Sequence, residues 1–343
     1  MTGSIDEKLF SSPAANSLKV EARVAALLKE NKWEAERGVY YPDPETGKLR
    51  ELDVYGMQVL DKPRASKGTG CPIINLSVFC ECKTLSGSNI IFSPSMLPKW
   101  VTNVSIVHWL GTEAQLRRMV LRIADEIETK DNDRIRRIYN YVIERAYPRD
   151  ERSLRHHAKV SPPPVDVFST TFRETKGGEL EKEKFGDTNR INPVWSAIRS
   201  ILAAVEAARK RAKRTSLDWV HGSTIKFNGM DAFCENTTFF LDAELMRYSF
   251  FHPFIVLGAR LWCLNGDQLN EVQSARLFLK SLNEKNVYVD IVTEHSVDHY
   301  IRNMVAHYEQ VSRKSNAETW NLLKQLQWQP GQAKDDFRKV IGT

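Results

Sequence analysis

Residues 73–83, IINLSVFCECK, decide the fold because they combine the apolar pattern of a central β-strand with two charged side chains. Apolar residues fill most of the stretch, which is typical of strands covered on both faces. Side chains alternate between the faces of a strand, so Glu81 and Lys83 point the same way. Cys80 and Cys82 point the other way and are expected to be core thiols. An acid and an ammonium group are costly to bury without a purpose, so this strand is expected to carry a functional site.

The residues before this strand predict a helix followed by two more strands. Ser17 is a candidate cap for a helix that runs to about Asn31, with Val20, Val24, Leu27 and Leu28 on one apolar face. Residues 33–41 and 51–60 have the pattern of strands and are separated by a turn-rich connection.

The rest of the chain predicts a helical middle and a return to strands. A long helix is expected at about 193–214, and apolar strands are expected at 253–264 and 287–293. The fold class is therefore α/β, a sandwich of helices around a central mixed sheet, with a helical insertion. The predicted organisation is a flexible N-terminal arm at 1–16, a first half of the core with the site at 17–110, a helical and charged insertion at 111–190, a second half of the core at 191–310, and a C-terminal helical tail at 311–343.

Composition is that of an ordinary globular protein. The chain has 343 residues, of which 42% are hydrophobic and 27% charged. No stretch approaches the roughly 20 apolar residues of a membrane helix, and the N-terminus has no secretory signal, so a cytoplasmic protein without membrane partners is expected. The five cysteines are odd in number and lack CxxC spacing, which indicates reduced thiols.

The net charge of +6 is compatible with a polyanionic partner. Basic residues cluster in the loop after the second strand and at the end of the long helix. Solvated helix surface is the ordinary alternative interpretation of such clusters. The candidate contacts to a nucleic-acid backbone are Lys62, Arg64, Lys67, Arg209, Arg211 and Arg214.

The context of Glu81-Cys82-Lys83 separates it from other matches to the same spacing. Glu-x-Lys begins at Glu30, Glu81, Glu128 and Glu174, but only the second match lies inside an apolar strand and follows another strand that carries an acid, Asp53. Cutting a phosphodiester bond requires a metal held by carboxylates and a cation that stabilises charge on the phosphate. If the two strands are neighbours, Asp53 and Glu81 can converge on one metal ion.

This pattern resembles the PD-(D/E)xK nuclease superfamily, to which restriction endonucleases and Holliday junction resolvases belong. The similarity rests on residues 50–53, RELD, and on residues 81–83, ECK, although Leu52 stands where the family name has proline. The resemblance implies a restriction-endonuclease-like fold in which Asp53 and Glu81 bind Mg²⁺, with Mn²⁺ as a substitute. It implies that the Cys82 carbonyl is a further ligand and that Lys83 positions water and stabilises charge. Glu21, on the preceding helix, would support the metal.

The expected function is a metal-dependent endonuclease of bacterial or phage type that hydrolyses DNA in restriction, defence or repair. RNA remains open as a substrate, and a homodimer suits the cutting of two strands. No GxxxxGK[ST] or GxGxxG motif occurs, so no nucleotide cofactor is expected. Glu36 and Glu51 are alternative acids. The alternatives are a structural ion pair, or a non-catalytic nucleic-acid-binding or complex-forming protein on the same fold.

Overall fold

The protein has a mixed α/β architecture built on a large mixed sheet. The computed structural model describes residues 9–10, 12–59, 73–85, 87–96, 106–108, 120–121, 123–125, 127–146, 162–176, 179–180, 192–222, 234, 247–280, 286–310 and 330–342. Within these ranges the strands are β1 (Glu34–Pro42), β2 (Leu49–Val59), β3 (Ile73–Lys83), β4 (Ser88–Pro94), β5 (Ile106–His108), β6 (Val167–Lys176), β7 (Glu179–Leu180), β8 (Arg247–Leu257), β9 (Arg260–Asn265), β10 (Gln268–Val272), β11 (Ser274–Lys280) and β12 (Asn286–Thr293). The helices are α1 (Pro13–Glu30), α2 (Asn132–Ala146), α3 (Pro193–Gly222), α4 (297–310) and α5 (Pro330–Ile341).

The strand order places β3 inside the sheet, as its apolar sequence predicts. The order is β1-β2-β3-β8-β12-β11-β6-β4-β9-β10, with β5 also paired to β8 and β7 to β6. β3 is antiparallel to β2 and parallel to β8, and β8 is parallel to β12. In this register Lys83 is opposite Leu257, and Leu257 is opposite Thr293. The carboxyl ends of three parallel strands therefore meet at one edge of the sheet.

Helices cover both faces of the sheet around β3. The α1 residues predicted to form an apolar face are all buried and pack with Cys80 and Cys82, in a cluster that also includes residues of α4. Phe79, on the opposite face of β3, packs in a second cluster with Ile198 and Ile201 of α3. Burial of apolar surface on both sides fixes which β3 side chains face which helix.

Helix α1 approaches the sheet closely at a glycine. A Cβ atom added to Gly56 would lie 2.7 Å from Val78 Cγ2 and 3.1 Å from Leu28 Cδ1. Distances this short leave no room for a side chain, so glycine lets the helix pack directly on β2 and β3.

The N-terminal boundary differs from the prediction. Helix α1 begins at Pro13, so the arm predicted over 1–16 ends earlier than expected. Its cap is Ser12, whose side chain accepts the Ala15 N–H at 3.2 Å, and the predicted cap, Ser17, lies inside the helix. Proline at the first helical position has a φ angle that already suits a helix, which explains this start.

Residues predicted as a helical and charged insertion, 111–190, also contain part of the sheet. Helix α2 lies in this range, but β6 pairs with β4 and β11. The sequence of β6, VFSTTFRETK, is too polar to suggest a central strand, although Val167 and Phe172 are buried. Tertiary pairing overrides the weak local signal there.

The last third contains more strands than predicted. The run expected as one strand at 253–264 bends at 258–259 and divides into β8 and β9, and β10 and β11 follow. Helix α5 packs on α2 through Phe337 and Ile341. Of the helical tail expected at 311–343, residues 311–329 lie outside the described residues. Among the described helices, none is both long and apolar enough to cross a membrane.

Candidate active site

The site lies where β2 and β3 separate. Their ladder runs from Val59 opposite Asn75 to Val54 opposite Cys80. Beyond that point the Asp53 carboxylate accepts the Cys82 backbone N–H, with 2.7 Å between Oδ2 and N. The Asp53 side chain thus accepts a backbone N–H that a longer β2–β3 ladder would have paired. This hydrogen bond holds the Asp53 carboxylate at the end of β3.

An irregularity in β2 directs Asp53 toward β3. Leu52 packs in the cluster with α3 and Val54 in the cluster with α1, although residues two apart in a regular strand share a face. In the β1–β2 ladder, Arg37 of β1 is opposite Val54 of β2. The residue after Arg37 is Gly38, whose φ angle is +62°. This left-handed conformation favours glycine, so Gly38 allows the two strands to change face at Asp53.

Lys83 connects the two strand acids. Its Nζ lies 2.7 Å from Glu81 Oε2 and 3.3 Å from Asp53 Oδ2. The Glu81 side chain is 4% exposed, whereas that of Lys83 is 30% exposed. The structure therefore places a nearly buried carboxylate behind an ammonium group that reaches solvent.

Burial and neighbouring charges set the protonation of this pair. Burial raises the pKa of Glu81, Lys83 opposes that rise, and the negative charge of Asp53 adds to it. Burial lowers the pKa of Lys83, but Glu81 and Asp53 together more than compensate, so the net pKa is above its ordinary value. Lys83 consequently keeps its proton at neutral pH.

Helix α3 supplies a residue that the sequence did not single out. The Ser200 hydroxyl donates to Glu81 Oε1 at 2.8 Å, and the Tyr41 hydroxyl donates to the Ser200 carbonyl at 2.7 Å. Ser200 shares the apolar side of α3 with Ala197, Ile201 and Ala204, all of which are buried. A polar residue on such a face was the available signal.

In the nuclease that the resemblance implies, replacing Ser200 by alanine is expected to reduce cleavage about tenfold, as is usual for partners that orient a functional carboxylate. Ser200 lowers the pKa of Glu81, so its loss raises that pKa and moves the acid limb of the pH–rate profile to higher pH. Ser196→Ala, at an exposed position one turn earlier on α3, is the control. An unshifted profile in Ser200→Ala would show that the hydroxyl does not position Glu81.

Glu21 reaches the site from α1. Burial and then the negative charge of Asp53 raise the pKa of Glu21, while Ser17 lowers it. The Ser17 hydroxyl lies 3.2 Å from Glu21 Oε1 and 3.4 Å from the Cys82 carbonyl oxygen. Glu21 is thus linked through Ser17 to the end of β3, where Lys83 contacts Asp53 and Glu81.

The alternative acids are exposed. Glu36 lies on β1, and Glu51 on β2 accepts a hydrogen bond from Tyr40 at 3.3 Å. Cys80 and Cys82 lie on the α1 side with 3.8 Å between their sulfur atoms, so the thiols face away from Lys83 as predicted.

The donor atoms suit a hard cation. Carboxylate and carbonyl oxygens are the ligands that Mg²⁺ prefers, and Asp53, Glu81, Glu21 and the Cys82 carbonyl provide them. In the described part of the chain, however, no group of three or more His, Cys, Asp or Glu side chains is arranged to hold an ion. The Lys83 ammonium group contacts both Glu81 and Asp53, so the two strand acids share one cationic neighbour.

The candidate phosphate contacts fall largely beyond the described atoms. Lys62, Arg64 and Lys67 lie outside the described residues. Arg209, Arg211 and Arg214 belong to α3, but their side chains are likewise outside the described part of the chain.

Comparisons with known proteins give no match. Neither a protein-family model, a curated protein nor a solved structure matches this chain.

Proposed function

We propose that the protein is a metal-dependent nuclease of the PD-(D/E)xK type, which hydrolyses phosphodiester bonds in DNA. The observation that carries the proposal is the meeting of Asp53 and Glu81 at Lys83, where β2 and β3 separate. A purely structural ion pair has no need of a third carboxylate, yet Glu21 and the Cys82 carbonyl lie next to the same point. A mixed sheet covered by helices on both faces is compatible with a restriction-endonuclease-like sandwich.

Asp53, Glu81, Glu21 and the Cys82 carbonyl are the groups that would hold Mg²⁺ or Mn²⁺. The bound cation would polarise the phosphate and lower the pKa of a water molecule. Glu81 contributes when ionised, and the Ser200 hydroxyl and Lys83 favour that form. Because the pKa of Lys83 is raised, this residue acts as a cation that stabilises the phosphate and orients water, rather than as a base.

The long helix α3 extends from the site to basic residues that can contact the substrate. Ser200 contacts Glu81, and residues 209–214 follow on the same helix at about 1.5 Å per residue, or roughly 14–21 Å farther along its axis. Basic residues at this distance suit phosphates that flank the bond that is cut. A homodimer would place two such sites on a duplex.

Cleavage of supercoiled plasmid by the purified chain tests the proposal. We expect nicked or linear product with Mg²⁺ or Mn²⁺ and none in EDTA, because the carboxylates act only with a cation present. Removing the cation with EDTA and then restoring it in excess is the matched control for loss of protein. DNA that is retained on a gel but uncut with either metal would indicate the non-catalytic alternative, a nucleic-acid-binding protein on the same scaffold.

A further inference from the structure

A cavity of about 600 Å³ lies at the sheet edge where β3, β8 and β12 end. Its lining residues come from the start of β4, the bend between β8 and β9, β10, and the single helical turn after β12. In open α/β sheets, ligands bind in crevices at the carboxyl ends of parallel strands. The volume falls within the range of roughly 300–1,000 Å³ that is usual for small-ligand sites.

The cavity is joined to the candidate active site through the backbone. The Gly258 N–H donates to the Lys83 carbonyl at 2.9 Å, and Leu257 is opposite Lys83 in the β3–β8 ladder. Both Leu257 and Gly258 line the cavity. A Cβ atom on Gly258 would lie 3.4 Å from Thr84 Cα, so the two strand ends pack closely. The cavity therefore adjoins the backbone of Lys83 at the end of β3.

The lining offers hydrogen-bond acceptors and donors side by side. Glu271 and Glu294 carry carboxylates, which only accept when ionised, and Arg260 carries a guanidinium, which only donates. The Trp262 indole N–H donates to Asn89 Oδ1 at 2.9 Å, and this fixes the Asn89 amide so that its NH₂ group remains a donor. Within the described part of the chain, the Arg260, Glu271 and Glu294 side chains have no hydrogen-bond or ion-pair partner.

This chemistry excludes the two simplest ligands. A phosphate group would meet two carboxylates, Glu271 and Glu294, against one permanent cation, Arg260, and the imidazole of His295. A metal ion would need the acids and His295 to converge, and no such group exists among the described residues. A group that carries hydrogen-bond donors and acceptors side by side fits instead.

We propose that the cavity binds an unpaired nucleobase that carries an exocyclic amino group, from the nucleotide next to the cleaved bond. The proposal rests on the nuclease function proposed above. The amino group of cytosine or adenine has two N–H donors, one for Glu271 and one for Glu294, while Arg260 or Asn89 donates to a ring nitrogen or carbonyl oxygen. Thymine has a single N–H donor on its pairing edge and can therefore serve only one of the two carboxylates.

A base inside a cavity cannot remain stacked in a duplex. The cavity therefore requires that the nucleotide beside the cut be single-stranded or flipped out of the duplex when it binds.

Equilibrium binding in EDTA tests the cavity separately from catalysis. Fluorescence anisotropy would compare labelled single-stranded oligonucleotides of equal length made of dC, dA or dT. We expect dC and dA to bind about tenfold more tightly than dT to the wild-type chain. In Glu271→Gln/Glu294→Gln the difference is expected to fall below about twofold, because a carboxamide both donates and accepts. Glu309→Gln, an exposed substitution of the same kind on α4, is the control and is expected to keep the discrimination.

The outcomes separate this proposal from the proposed function. Equal affinity for the three oligonucleotides, failure to bind any of them, or discrimination that survives the double substitution would overturn the cavity assignment. Plasmid cleavage accompanied by any of these results would leave the nuclease in place without its base pocket. Discrimination that depends on the glutamates, in a chain that cuts no DNA, would support the cavity and refute the catalytic function.

Discussion

Replacing Lys83 by methionine is expected to slow metal-dependent DNA cleavage by about 10²–10³-fold, the usual effect of removing one group that stabilises developing charge. Methionine keeps much of the side-chain length but lacks the cation that contacts Glu81 and Asp53 at 2.7 and 3.3 Å. Burial and the charge of Asp53 would then act on Glu81 without opposition from Lys83, so the pKa of Glu81 would rise further. Single-turnover cleavage with excess protein measures the rate of this step.

Asp53→Asn is the second variant in this experiment, because its amide oxygen can still accept the Cys82 N–H and preserve the β2–β3 contact. We expect a loss of similar size, since the charge needed to hold a cation is gone. Glu36→Gln removes an exposed acid from β1 and is expected to retain wild-type activity. Thermal unfolding of all three variants separates loss of chemistry from loss of fold. Wild-type rates in folded Lys83→Met and Asp53→Asn would refute the site.

The central part of the site was predictable because its signal is local. Glu81, Lys83 and their apolar neighbours share one strand, and alternation alone separates the acid and lysine from Cys80 and Cys82. Asp53 required only that the two consecutive strands pair, which neighbouring strands often do.

The remainder of the site depends on contacts between distant parts of the chain. Ser200 lies 119 residues after Glu81 in the chain. No sequence motif indicates that α3 packs against β3. The change of face at Asp53 depends on the φ angle of Gly38, which sequence alone does not give. The cavity wall likewise combines β4, β9 and β10, and neither β4 nor β10 was predicted.

A buried polar cluster is the other feature that the sequence did not reveal. His252 on β8 is fully buried, with Nε2 2.6 Å from the Tyr300 hydroxyl and Nδ1 2.9 Å from the Tyr308 hydroxyl. Asp290 accepts two bonds from Arg276 at 2.6 Å and one from Tyr300 at 2.7 Å. The cluster joins β8, β11 and β12 to α4, and therefore stabilises the strands whose ends form the site and the cavity.

Burial lowers the pKa of His252 to about 4, with Arg276 and His307 acting in the same direction and Asp290 opposing them. His252 is thus neutral in the folded protein, whereas its pKa in the unfolded chain is near the ordinary value of 6.5. Between these values the unfolded chain binds more protons than the folded one, so stability rises with pH across this window. Stability from this source is present above pH 6.5 and is lost as pH falls toward 4.

We therefore expect the free energy of unfolding to fall by about 3 kcal/mol more in the wild type than in His252→Gln between pH 6.5 and 4. Urea titrations of both proteins at several pH values measure the difference. The comparison cancels the contribution of Glu81 to the pH dependence of stability, because its raised pKa lowers stability as pH rises in both proteins. His295→Gln, which removes an exposed histidine outside the cluster, is the control. If His252→Gln does not fold, the NMR titration of the His252 imidazole gives the same answer. A midpoint near 6.5 in the folded wild type would contradict the expectation, because a histidine with that pKa is not held neutral by the surrounding cluster.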